Sequence, residues 1–197
     1  GVTKGKKGVA EFGDASMFSF HATKVFNTIE GGCIAYNNDA LTEKLQIEKN
    51  FGMDFSGEVR EFAGNAKMNE FQAAMGLCNL RHITQEIAKR KTVVERYTQN
   101  LKGTNGIKIR ECQEGVESNY AYFPIVIDSE VYHKNRDQVA DELAQENIFA
   151  RKYFYPLCSD FECSIERFKK ADLPVAEKVA KSVLTLPLYA DLELDVV

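Results

Sequence analysis

A helical run from about Met68 to Leu101 limits the fold more than any other stretch of the chain. Phe71, Met75, Cys78, His82 and, a turn further on, Ile87 trace one face at helical spacing. Arg90 to Leu101 continue the run after a bend, and Gly103 and Gly106 stop it. An apolar stripe at this spacing is ordinarily core, and it is read so here. The run also sets the domain organisation. The boundary is expected near residue 90, with residues 1–90 in one domain and 91–197 in a second.

On either side of that run the chain alternates between strand and helix signals. Residues 1–15 read as turn and loop, punctuated by Gly5, Gly8 and Gly13, with Lys4, Lys6 and Lys7 solvated. Residues 16–21 alternate apolar and polar as a short strand, and 33–37 form another. Asn38-Asp39 offers an N-cap to a helix over 40–50 carrying Leu41, Leu45 and Ile47, closed by Gly52. Residues 53–66 are loop. Beyond the long run, 107–109 and 120–127 predict strands, and 132–147 a helix with Val139 and Leu143 inward. Residues 148–155 predict a strand running into Pro156. Pro174 opens a further helix at a favoured first-turn position, and 183–188 return to extended chain. Few hairpin signals separate these elements, so the pattern implies an α/β or α+β arrangement.

Composition narrows the function classes. The net charge of −4 argues against a dedicated nucleic-acid surface, which needs clustered Lys and Arg. No apolar run approaches the roughly 20 residues that span a bilayer, and no signal peptide opens the chain. Cys33, Cys78, Cys112, Cys158 and Cys163 are odd in number and irregularly spaced, which fits reduced thiols in a cytoplasmic protein. His21, His82 and His133 are too scattered to suggest zinc, so no metal is expected. The opening has glycine and lysine but no initiator methionine, and the chain stops as an acidic, apolar stretch begins. A piece of a longer protein is expected.

Four places carry candidate chemistry. Lys24 follows the first strand, with Ser19 five residues before it and Gly31-Gly32 after. A lone lysine is ordinarily a surface residue. As a Schiff-base lysine it would need its amine free of a proton, through burial or neighbouring positive charge. The Ser19 hydroxyl can donate to a phosphate, and the glycine pair permits a tight turn or close backbone approach. Asn65 precedes the long helical run; it is either a helix-entry loop residue or an amide reaching a phosphate near a helix N-terminus. Arg151 to Pro156 mixes cations with Tyr153, Phe154 and Tyr155. That is either an amphipathic strand edge or a surface that recognises an anionic, ring-bearing substrate by charge and stacking.

Taken in order, Ser19-Phe20-His21-Ala22-Thr23-Lys24, Glu30-Gly31-Gly32, and Gly64-Asn65 with Met68, Glu70 and Phe71-Gln72-Ala73-Ala74 resemble the DegT/DnrJ/EryC1/StrS aminotransferases. The likeness continues through Arg90, Tyr97, Tyr153 to Pro156 and the run at 184–188. It implies a fold-type I α/β enzyme, with the end of a large, mostly parallel sheet domain followed by a small α+β domain. It implies pyridoxal 5'-phosphate as cofactor, an amino-acid donor such as glutamate, and a nucleotide-linked keto-sugar as acceptor. Lys24 would carry the cofactor as a Schiff base and then move a proton. Ser19 would hold the cofactor phosphate. Asn65 would reach the phosphate of the neighbouring subunit's cofactor across a homodimer interface. Tyr153 and Tyr155 would lie near the substrate. Relatives that dehydrate carry histidine at the lysine position, so Lys24 favours transamination.

The same resemblance places the carboxylate that faces the pyridine nitrogen, its glutamine neighbour, and the aromatic that stacks on the ring before the glycine-rich turn. None of these has a match here. The 197 residues are therefore expected to hold half an active site and to be inactive alone. A non-catalytic remnant or interaction domain that kept the fold is the alternative.

Overall fold

The computed structural model describes residues 1–167 and 172–197. In chain order its elements are β1 (Thr3–Lys4), β2 (Lys7–Gly8), β3 (Ala15–Ser19), β4 (Gly32–Tyr36), α1 (Ala40–Lys49), α2 (Glu70–Leu80) and α3 (Ile83–Leu101). There follow β5 (Ile107–Ile109), β6 (Val116–Glu117), β7 (Phe123–Ile127), α4 (Ser129–Tyr132), α5 (Arg136–Gln145), α6 (Glu162–Arg167), α7 (Pro174–Ser182) and β8 (Val183–Leu186). The chain forms two compact units, one of residues 1–87 and 113–119, the other of 88–112 and 120–197. Every strand ladder among the described residues is antiparallel.

In the first unit, β1 and β2 form a small hairpin where only turn and loop were expected. Its turn residues Gly5 and Lys6 both have positive φ, at 55° and 73°, which matches the twist of tight hairpins. β6 adds to the other side of β1. β3 and β4 pair from Ala15↔Tyr36 to Ser19↔Gly32, so the residues between them form one closed loop. α1 starts where Asn38 Oδ1 accepts from the Ala40 amide at 3.0 Å. It ends on left-handed Phe51 (φ 60°), with the Gly52 amide donating back to the Ile47 carbonyl at 3.0 Å.

The long helical run is two helices, broken at Arg81 and His82. α2 begins with a reciprocal cap, in which the Gln72 amide donates to Asn69 Oδ1 and the Asn69 amide to Gln72 Oε1. Its inward face differs from the expected one. Phe71 is 86% exposed and Leu77 63%, while Gly76 is buried and Gln72, Ala73 and Asn79 are partly so. A Cβ on Gly76 would lie 2.8 Å from Thr28 Cγ2. Close approach of the Thr28 and Phe26 side chains thus selects the small face of α2, and the apolar stripe through Phe71, Met75, Cys78 and His82 faces out. α3 follows the usual rule, with Val93 and Tyr97 buried on one face.

The second unit holds all the buried hydrophobic side chains among the described residues. β7 lies between β5 and β8, with Phe123, Ile125 and Ile127 buried at alternate positions. β8 is buried throughout, and Leu184 is fully enclosed. Each such side chain contributes on the order of 2 kcal/mol by burial. Tyr97 of α3 stacks on Phe123 with ring centroids 4.9 Å apart, and its hydroxyl donates to the Pro187 carbonyl at 3.0 Å. Arg90 Nη1 donates to the Leu188 carbonyl at 3.0 Å.

Two expectations in this half do not hold. The helix expected over 132–147 is interrupted at His133, which is left-handed (φ 61°), and α5 restarts after an Asn135 cap paired with Gln138. Residues 148–155 form no strand. Only Arg151 meets the sheet, in a single bridge to Thr185, and the Tyr155 amide turns back to the Lys152 carbonyl at 2.8 Å. Side-chain contacts among the cations and aromatics of this stretch take the place of a ladder. No helix among the described residues is long and apolar enough to cross a membrane.

Candidate active site

The loop from Phe20 to Gly31 positions Lys24. Its base is closed twice above the Ser19↔Gly32 pair: the Phe20 amide donates to the Gly31 carbonyl at 2.8 Å, and the Thr28 amide to the Phe20 carbonyl at 2.9 Å. Thr28 is only 2% exposed, and its hydroxyl donates to the Glu30 carbonyl at 2.7 Å. A Cβ on Gly31, whose φ is +152°, would come within 2.3 Å of that hydroxyl. The sequence therefore needs glycine there for the loop to close. α2 supports the loop from behind, where Asn79 Nδ2 donates to the Asn27 carbonyl at 2.9 Å. Phe20 and Phe26 meet edge to face at 4.9 Å.

Lys24 is half-buried within this loop. Its amide donates to the His21 carbonyl at 2.9 Å, and its carbonyl accepts from Asn27 Nδ2 at 3.4 Å. The backbone from which the amine projects is thus held on both sides. Ser19 ends β3 with its side chain exposed, and its Oγ accepts from the His21 amide at 3.4 Å. The structure therefore brings Ser19 and Lys24 into one braced loop.

Asn65 belongs to a different part of the same unit. It is exposed and bridges Asn50 at the end of α1. Its neighbours complete the strap: the Phe51 amide donates to the Gly64 carbonyl at 2.9 Å and the Ala66 amide to the Lys49 carbonyl at 3.0 Å. Asn65 Oδ1 accepts from the Lys67 amide at 3.3 Å.

Tyr153 and Tyr155 belong to the second unit. Tyr153 stacks on Phe154 at 4.5 Å and meets the edge of Tyr122 at 5.7 Å, while Arg151 donates to its hydroxyl. The Tyr155 ring lies 4.9 Å from the guanidinium of buried Arg136, whose Nη1 donates to the Ala180 carbonyl at 3.0 Å. Lys152, and after it Arg136, hold the Asp137 carboxyl below the ordinary carboxylate range. Tyr155 also borders a hollow of about 140 Å³ lined by Leu157, Asp160, Glu177, Ala180 and Lys181.

Sequence reasoning assigned no role to Thr28, Asn27, Asn79, Gly76 or Arg136. Asn79 is 52 positions from the residue it anchors, and no local pattern carries such a contact. Thr28 is a polar residue flanked by Asn27 and Ile29, and nothing in that neighbourhood signals its burial.

An α/β architecture with a braced lysine loop at the end of a strand is that of fold-type I aminotransferases. The model of the DegT/DnrJ/EryC1/StrS aminotransferase family matches residues 1–197, and the chain belongs to that family. It is 38% identical over 196 residues to a dTDP-4-amino-4,6-dideoxy-D-glucose transaminase of Shigella dysenteriae, covering 100% of this chain and 53% of the relative. It is 44% identical over 172 residues to the transaminase of the same name from Escherichia coli, covering 85% and 46%. Among solved structures, DesI in the presence of its TDP-sugar product superposes with a TM-score of 0.91 at 31% identity, covering 98% of this chain and 49% of that one. Helicobacter pylori PseC, an aminotransferase of pseudaminic acid biosynthesis, gives 0.89 at 27%, covering 98% and 51%. The chain spans about half the length of the curated relatives it matches.

Proposed function

We propose that this chain supplies the lysine half of a transaminase that moves an amino group from an amino acid, glutamate foremost, to a nucleotide-linked keto-sugar. The observation that carries the reading is Lys24, half-buried and fixed at its backbone, on the loop that follows an exposed Ser19 hydroxyl in a family member. The donor set fits pyridoxal 5'-phosphate: an amine for its aldehyde, a hydroxyl for its phosphate, and the exposed Asn65 amide for a second phosphate contact. In this reading Asn65 serves the cofactor of the partner subunit in a homodimer. Bound there, the cofactor supplies the electron sink that makes the substrate carbon acidic.

The residues do the rest. Lys24 Nζ would hold the aldehyde carbon and, once displaced by the donor amine, would take a proton from the substrate carbon and return it to the carbon on the far side of the intervening nitrogen. The bonds that hold the Lys24 backbone would limit how far its amine can move from the bound group. Ser19 would hold the phosphate end through its hydroxyl. Tyr153 and Tyr155, with Arg151 and Arg136 beside them, suit an anionic, ring-bearing substrate. The names of the two bacterial transaminases point to a thymidine-diphosphate 4-keto-6-deoxyhexose as the first acceptor to try. A large domain ending near residue 90, a small one over 91–197, and a cytoplasmic setting complete the reading; the five free cysteines support the last. The 197 residues alone are proposed to be inactive, since none of their carboxylates matches the family's partner to the pyridine nitrogen.

The test is to add pyridoxal phosphate to the full-length protein, follow its visible band, reduce with borohydride and map the labelled peptide. Label on Lys24, lost with transaminase activity in Lys24→Ala, is the expected result. An unlabelled full-length protein would refute the reading and favour a non-catalytic remnant.

A further inference from the structure

His21 lies at the centre of the bonds that shape the Lys24 loop, and no step of the proposed chemistry uses it. Its amide donates to Ser19 Oγ at 3.4 Å, and its carbonyl accepts from the Lys24 amide at 2.9 Å. Its Nδ1 accepts from the Thr23 amide at 3.3 Å and lies 2.9 Å from the Thr23 hydroxyl. Its Nε2 lies 3.5 Å from Glu30 Oε1. One residue therefore touches both Ser19 and Lys24 and spans the loop from its first turn to Glu30, just before the closing glycines.

These contacts settle the tautomer. A backbone N–H can only donate, so Nδ1 must offer its lone pair to Thr23. In the neutral ring the proton then sits on Nε2, where it faces the Glu30 carboxylate. The imidazole is thus held from two sides, by a main-chain donor and by a carboxylate. An exposed pair of this kind adds little to stability, so its consequence is geometric. It fixes the Ala22–Thr23 peptide, and with it the turn in which the Lys24 amide donates to the His21 carbonyl.

We propose that His21 is a positioning residue for Lys24: held as the Nε2–H tautomer between Thr23 and Glu30, it fixes the turn from which the amine projects. This rests on the reading of Lys24 as the cofactor-binding lysine.

The test uses the full-length protein stripped of cofactor. Pyridoxal phosphate is added back to wild type, His21→Leu, His21→Gln and His21→Asn. The rate of the visible band, borohydride label at Lys24 and the thermal midpoint are measured. Losing one backbone hydrogen bond should slow labelling about fivefold in His21→Leu, with the midpoint held. His21→Gln, which reaches Glu30 but not the Thr23 amide, should be equally slow. His21→Asn should recover the rate, because its Oδ1 can accept the N–H two residues on. Wild-type labelling rates in His21→Leu or His21→Gln would overturn the role of His21 while leaving Lys24 intact. If His21→Leu fails to fold, the His21→Gln and His21→Asn pair decides. A wild-type protein labelled elsewhere than Lys24 would overturn the reading of Lys24 itself, and His21's role with it.

Discussion

Replacing Gly31 by alanine tests whether the lysine loop closes for the reason given. The added Cβ would lie 2.3 Å from Thr28 Oγ1 and 3.1 Å from Met68 Cε, where ordinary contact begins at 3.4 Å. Met68 can swing its flexible end away. Thr28 cannot: it is β-branched, 2% exposed, and its hydroxyl is engaged with the Glu30 carbonyl at 2.7 Å. The loop backbone must therefore give by about 1 Å, breaking that bond. Holding a non-glycine residue at such a φ costs about 1–3 kcal/mol. Losing the hydrogen bond adds about 1 kcal/mol. The sum is about 2–4 kcal/mol of local stability, read as a lower urea midpoint of the full-length protein and slower labelling of Lys24 by pyridoxal phosphate. Gly57→Ala is the control. Its φ is +85°, but nothing lies within 4 Å of its Cβ, so it should lose only about 1–2 kcal/mol and leave Lys24 labelling unchanged. Equal losses in the two variants, or a wild-type midpoint in Gly31→Ala, would refute the steric argument.

Two further outcomes follow from the rest of the molecule. Asp54 accepts from the Ser56 hydroxyl at 2.6 Å and from Arg60 Nε at 2.6 Å, and these contacts, the hydroxyl first, hold its carboxyl well below the usual carboxylate range. A depressed folded value means the unfolded chain binds the proton first, so this stability is full above about pH 4 and is lost as pH falls further. Asp54→Asn should remove that part of the acid dependence in unfolding curves compared between pH 7 and pH 2. Leu184→Ala empties a fully enclosed position in the core cluster with Val93, Phe123 and Ile125 and should cost about 2–5 kcal/mol, measured as a drop in thermal midpoint.

Much of the second unit could be read from local pattern. β7 and β8 are apolar enough to bury themselves wherever they fall, and Pro174 marks the start of α7 by its own stereochemistry. The run at 148–155 has strand-like composition in Ile148, Phe149, Tyr153 and Phe154, yet Arg151, Tyr153 and Phe154 find one another through their side chains and only Arg151 pairs with β8. α2 misled for a different reason. Its apolar residues fall on one face at helical spacing, but Gly76 and Ala73 on another face let the helix lie against Thr28 and Phe26. Hydrophobicity predicts burial only when no closer packing competes, and small residues offer that packing.

The sequence by itself determined the family, the candidate lysine and the positions of most strands and helices. Those properties are written in ordered residue types and short-range periodicity, which need no partner to be legible. Only the tertiary structure decided how Lys24 is held. Thr28 is buried by contact with α2, Asn27 is tied to Asn79 across 52 positions, and the His21 amide meets Ser19 while its imidazole lies between Thr23 and Glu30. The first two depend on residues distant in sequence meeting in space, and the third on the closing of the loop that brings Glu30 back to His21. That information exists once the loop has closed on the helix behind it, and not before.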